Sequence, residues 1–136
     1  MQYAHARICS IIRKAAQEAG ILLEGDSSEE LDRMATQLIG RSADLSLLTD
    51  PTELALMRKM DEFPLLVATS ARDRAPYRLT HYVQEIASSY HQFYTQCHVL
   101  TDDKDLTKSR LALCDATRIL IALALSLLGV SAPTKM

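Results

Sequence analysis

Glycine and proline are scarce in this sequence, four of each in 136 residues. With 48% hydrophobic and 24% charged residues, that composition excludes a disordered chain and leaves enough apolar material for a sizeable core. The length fits about one domain of the usual 100 to 200 residues and excludes a large multidomain enzyme. Cysteine is also scarce. Cys9, Cys97 and Cys114 are odd in number, far apart and set in apolar periodic stretches, the pattern of buried reduced thiols rather than of a disulfide framework. Long hydrophobic runs are missing: the longest, Ile119 to Leu128, stops at ten residues and contains Ser126, against roughly 20 needed to cross a bilayer. The amino terminus, Met1 to Arg7, has neither an apolar stretch nor a small-residue cleavage site, so the chain reads as cytoplasmic.

Ligand and catalytic spacings are missing as well. His5, His81, His91 and His98 form no His pair at i, i+4, and there is no Cys-x-x-Cys, so no metal is expected. A nucleophile elbow, a phosphate-cradling glycine loop, a Walker lysine and a paired-carboxylate site are all absent at the spacings those chemistries need. No catalytic residue is assigned.

Net charge is also small. Fifteen basic and seventeen acidic residues leave −2, an average that argues against a nucleic-acid binder. The distribution is uneven: residues 1 to 20 carry +2, residues 21 to 63 carry −6, and residues 64 to 136 carry +2. The two ends can therefore present a mildly basic face while the acidic middle points away, because phosphates respond to local potential. The alternative is that these charges only dress solvated helix surfaces.

What the sequence does contain is helical periodicity almost throughout, so it reads as all-α, a bundle of about five to six helices. Residues 2 to 19 form a first helix with Ala4, Ile8, Ile11, Ile12 and Ala15 on one side and Gly20 as its stop. Ser28 is placed to cap a short helix over Leu31 to Ile39, closed by Gly40. Asp50-Pro51-Thr52-Glu53 combines an acceptor cap, proline at N1 and a capping box, and starts a helix to about Met60. Phe63-Pro64 breaks that helix before a short run from Leu65 to Ser70, and a turn leads into a long helix from Pro76 to Cys97. Thr101-Asp102-Asp103 opens the last helix, which ends at Gly129 and leaves a tail from Val130 to Met136. Within it Asp115 and Arg118 pair structurally, and Ile119 to Leu128 is apolar nearly all round, as a central core helix would be.

On a helical wheel Tyr3, Arg7, Ser10 and Lys14 line the face opposite the isoleucines. An exposed ring that shares a stripe with two cations suits RNA, since the cations neutralise phosphates while the ring stacks on an unpaired base. The equal alternative is a solvated face with Tyr3 packed on a neighbour. In the long helix Leu79, Val83, Ile86, Tyr90, Phe93 and Cys97 form a core stripe with Tyr94 beside it, all read as packing. Tyr82 sits at the stripe's edge one turn after Arg78, where its hydroxyl can stay in water. It is the better candidate for a partner contact, with a structural edge tyrosine as the alternative.

Three segments together resemble a known family, the carboxy-terminal DALR-type anticodon-binding domain of arginyl-tRNA synthetase (arginine-tRNA ligase), a class I aminoacyl-tRNA synthetase. Gln2-Tyr3-Ala4-His5-Ala6-Arg7-Ile8 resembles the run that opens that domain. Leu79-Thr80-His81-Tyr82-Val83 through Phe93-Tyr94 and Val99-Leu100 is similar to its tyrosine helix, and Arg110 to Arg118 with Pro133-Thr134-Lys135-Met136 resembles its carboxy end. Asp115-Ala116-Thr117-Arg118 stands where the signature reads D-A-L-R. The resemblance covers the whole chain and implies one DALR-type domain over 1–136, a fragment lacking the upstream catalytic domain that binds ATP, with Mg, and arginine. No cofactor is expected in this chain, and no aminoacylation by it alone. The implied partners are the anticodon loop of arginine tRNA and the catalytic domain of the same polypeptide. By position the resemblance assigns RNA contacts to Tyr3, Arg7, Tyr82 and Met136; the wheel adds Lys14 and Arg78 as phosphate contacts. His5 is read as structural. The rival readings are a helical protein-interaction module on the same fold and the related domain of another synthetase, such as the bacterial glycyl enzyme's β-subunit.

Overall fold

The computed structural model describes residues 1–40 and 43–136 and contains α1 (Gln2–Glu18), α2 (Ser28–Ile39), a 3-10 turn (Leu45–Leu47), α3 (Pro51–Asp61), α4 (Phe63–Arg72), α5 (Tyr77–Gln96) and α6 (Lys104–Leu127). There is no strand among the described residues. The six α-helices enclose one core. Ile8 and Ile12 of α1, Leu31 and Met34 of α2, Leu56 of α3, Val83, Ile86, Tyr90 and Phe93 of α5, and Ile121 and Leu125 of α6 are all essentially inaccessible to solvent. Burial of such side chains contributes about 1.5 to 3 kcal/mol each relative to exposure. Helix α6 packs against α1, α2, α3 and α5, so the carboxy-terminal helix is the hub of the bundle.

Local signals set the boundaries. At the end of α1, Gly20 takes φ +75°, and the Ile21 and Gly20 amides donate to the Ala16 and Gln17 carbonyls, a Schellman closure that a side chain at Gly20 would strain. The same closure ends α6 at Gly129, with Val130 donating to Leu125 and Gly129 to Ser126. It recurs at the end of α4, where Ala75 donates to Ser70 and Arg74 to Ala71, but there the left-handed position (φ 52°) is held by Arg74. Asp50 and Glu53 form the expected capping box. Glu53 is fully buried, and its other oxygen accepts from Arg110 Nε at 2.6 Å, which ties the start of α3 to α6.

Three expectations need adjustment. Ser27, not Ser28, caps α2, its hydroxyl accepting from the Glu30 amide at 3.2 Å; two adjacent serines are indistinguishable by composition. The break expected at Phe63-Pro64 falls one residue earlier, at Glu62, and α4 runs from Phe63 to Arg72 rather than from Leu65 to Ser70, with Pro64 in its first turn, where its missing N–H costs no helical bond. The run from Ile119 to Leu128 is buried on one side only: Leu120, Ile121, Ala124 and Leu125 face the core, while Ile119, Leu123 and Leu127 are about half exposed. The Asp115–Arg118 pairing is present at 2.9 Å, and Arg118, 2% exposed, also donates to Asp32 of α2 at 2.5 Å. Thr117, beside it, satisfies its buried hydroxyl on the Leu113 carbonyl at 2.8 Å. No helix among the described residues is long and apolar enough to cross a membrane.

Candidate nucleic-acid interface

The polar stripe of α1 opens on a cavity of about 330 Å³ lined by Tyr3, Arg7, Ser10, Lys14, Tyr94 and Met136, with Ala6 and Ile11 beneath. Tyr3 is 59% exposed and Met136 75%. The Arg7 guanidinium carbon stands 5.6 Å from the centre of the Tyr3 ring and 4.7 Å from that of Tyr94, both within cation–π range. Four of the six expected contacts, Tyr3, Arg7, Lys14 and Met136, are thus brought together. Met136 arrives because the tail after α6 folds back along α1, with Gln2, His5 and Arg13 donating to its carbonyls.

A second cavity, of about 470 Å³, adjoins the first and shares Arg7, Ile11, Lys14 and Tyr94 with it. It continues past His91, Thr95 and His98 to Val99 and Leu100. Among the described residues no acidic side chain lines either cavity, although acidic residues outnumber basic ones in the whole chain. The groove is therefore a local basic and aromatic surface on a mildly acidic protein, which is what phosphate attraction requires. Tyr94 packs against the core as read, and it also lines the groove, which that reading did not foresee. It stacks on buried Tyr90 (centroids 6.2 Å apart) with its other contacts toward Arg7, and its position one residue past the core stripe was the available signal. His91 and His98, both exposed, had no signal of spacing or motif.

Tyr82 and Arg78 lie elsewhere, and here the expectation is corrected. Tyr82 is 3% exposed, its ring stacks on Phe63 with centroids 5.8 Å apart, and its hydroxyl donates to the Lys59 carbonyl at 2.5 Å. Burial raises its phenol pKa well above the ordinary value. A ring so enclosed cannot stack on a splayed base. The reason is tertiary: Lys59 near the end of α3 and Phe63 at the start of α4 pack on Tyr82 and cover the edge that a wheel of α5 alone leaves open. Arg78 is held by Asp73 at 2.6 Å and lines neither groove cavity. From Tyr82 to Tyr94 is roughly 18 Å along the helix at 1.5 Å per residue, so the two ends of α5 serve different purposes.

His5, in the same opening run, is buried with Nδ1 2.9 Å from the Pro133 carbonyl and 3.7 Å from Cys9 Sγ, a structural role as read. Burial, aided by the Arg118 charge and opposed by the Pro133 carbonyl, lowers its pKa below 6.5. Nδ1 therefore carries the proton in the neutral ring.

The profile of the DALR anticodon binding domain family matches residues 1–136. This chain belongs to that family. The DALR domain is 43% identical over all 136 of its residues to the arginine–tRNA ligase of Symbiobacterium thermophilum and 42% identical to that of Dehalococcoides mccartyi strain CBDB1, covering 22% and 21% of those proteins. Among solved structures it resembles the arginyl-tRNA synthetase of Thermus thermophilus, with TM-score 0.71 and 30% identity over 99% of this chain and 20% of that one. The arginyl-tRNA synthetase of Plasmodium falciparum gives TM-score 0.68 and 25% identity over 98% of this chain and 20% of that one. The DALR domain thus spans about a fifth of the length of its relatives.

Proposed function

We propose that this DALR domain binds the anticodon loop of an arginine tRNA through the groove between α1, the second half of α5 and the tail. It does so as the tRNA-recognition part of an arginine–tRNA ligase whose catalytic domain, elsewhere in the polypeptide, carries out ATP-dependent aminoacylation. The observation that carries the reading is the convergence of Tyr3, Arg7, Tyr94 and Met136 on one cavity that, among the described residues, no acidic side chain lines. Tyr3 offers an exposed ring to a base, and Met136 offers a polarizable thioether to its edge or face. Arg7, already stacked on Tyr94, presents its guanidinium as a platform or phosphate partner, while exposed Lys14 follows the backbone. The chain's relatives being arginine–tRNA ligases supports arginine as the cognate amino acid.

The test is a titration with an arginine anticodon stem-loop against one of altered anticodon, at two salt concentrations. The proposal expects preference for the arginine anticodon, with a log–log salt slope of about −1.4 if two cations meet single-stranded phosphates at roughly −0.7 each. Equal affinity for both stem-loops would overturn it.

A further inference from the structure

Seven residues follow the Gly129 closure of α6 without regular structure, from Val130 to Met136. Such a segment has no backbone ladder, and ordering it costs conformational entropy. Side chains from elsewhere supply what holds it. Gln2 Nε2 donates to the Ser131 carbonyl at 2.8 Å, His5 Nδ1 to Pro133 at 2.9 Å, and an Arg13 terminal nitrogen to Thr134 at 3.0 Å. These three donors fall on one face of α1, rotated from the Tyr3–Arg7–Lys14 stripe, and the tail runs along them in the direction of the helix. Asp26, in the loop after α1, closes the arrangement. Its carboxylate meets Arg13 Nε at 3.0 Å and Lys135 Nζ, while its carbonyl accepts from the Thr134 hydroxyl at 2.9 Å.

These ties secure a segment that adds little to the core, with Ala132 alone of the tail packed against it. The residue they lead to, Met136, is mostly exposed and lines the groove. We infer that Asp26 and Arg13, with His5 and Gln2, act as a clamp whose purpose is to position Met136 in the RNA-binding groove. The inference rests on the anticodon reading above. Arg13 and Asp26 are positioning residues: they act on RNA only through the tail.

Asp26→Asn separates this role from general electrostatics. Removing a negative charge strengthens generic phosphate attraction, whereas a loosened clamp weakens recognition. The experiment measures Asp26→Asn, Arg13→Gln, Met136→Ala and the double variant Asp26→Asn/Met136→Ala. One readout is affinity for the arginine anticodon stem-loop; the other, independent of RNA, is the Met136 methyl NMR resonance. The expected result is a loss of roughly fivefold to tenfold in affinity for each single variant, the size of one or two lost hydrogen bonds. The double variant should be no weaker than Met136→Ala. In both clamp variants the Met136 methyl should move to the position of a free methionine, with the melting temperature nearly unchanged. An unmoved methyl overturns the clamp whatever the RNA does. A moved methyl with unchanged or tightened RNA binding overturns its positioning role. A wild-type chain without anticodon preference overturns the anticodon reading itself, and the methyl resonance still decides whether the clamp exists.

Discussion

The guanidinium of Arg7 lies over the ring of Tyr94, 4.7 Å from its centre, across the line where α1 meets the second half of α5. That stack makes Arg7 a flat cationic surface held in place by an aromatic beneath it. Arg7→Ala should lower anticodon-loop affinity by about 1 to 3 kcal/mol, the range for a lost stacking platform. Arg7→Lys should recover only part of that, because an ammonium keeps the charge and loses the plane. Equilibrium titration of the two variants checks both values, and equal affinity for Arg7→Lys and wild type would exclude a stacking role.

Tyr82 should behave in the opposite way. Its hydroxyl donates to the Lys59 carbonyl and its ring packs on Phe63. Tyr82→Phe should therefore cost about 1 kcal/mol of stability and Tyr82→Ala about 3 to 5 kcal/mol, with RNA affinity of the folded protein unchanged. Denaturant unfolding alongside titration measures both, and Tyr3→Ala is the control that should lose affinity while keeping stability.

Stability should fall on acidification through the histidine range. Burial lowers the His5 pKa, so below pH 6.5 the unfolded chain takes up a proton that the folded chain resists. The contribution is fully present above about pH 6.5 and is lost as pH drops from there toward the folded pKa. Thermal melts from about pH 8 to pH 5 should show this decline, and His5→Asn should flatten it. The groups facing the ring are Arg118 and Cys9; neither changes charge across that range.

Arg74 holds a left-handed position at φ 52° where the equivalent closures of α1 and α6 use glycine. Arg74→Gly should stabilise the fold by about 1 kcal/mol, since the left-handed backbone costs a non-glycine residue roughly 1 to 2 kcal/mol and glycine returns part of that as unfolded-state entropy. Chemical denaturation gives the sign directly.

The features legible in the sequence were those with a local cause. Gly20, Gly129, the Asp50–Glu53 box and the cap at Asp103 mark helix ends because a few neighbouring atoms determine them. The α1 stripe was equally legible, since a single helix already separates Tyr3, Arg7 and Lys14 from Ile8 and Ile12. Tyr82 and Tyr94 both lie at the border of the α5 core stripe, and a single helix does not reveal that Lys59 and Phe63 enclose the first while the second packs on the core and also lines the groove. The return of the tail left no trace because its acceptors are backbone carbonyls, identical at every residue. Met136 was reached by resemblance alone.

From Gln2 to Lys14, α1 has no idle surface. Ile8, Cys9, Ile11 and Ile12 fill the core with Ala4 packed at its edge, Tyr3, Ala6, Arg7, Ser10 and Lys14 wall the groove, and Gln2, His5 and Arg13 grip the tail. From Gln2 to Lys14 every side chain has a neighbour on one of these three sides. A rotation or shift of this helix that improved its fit to one side would misalign the other two, so its register is overdetermined, and adaptation of the groove to a different loop is left to α5 and the tail.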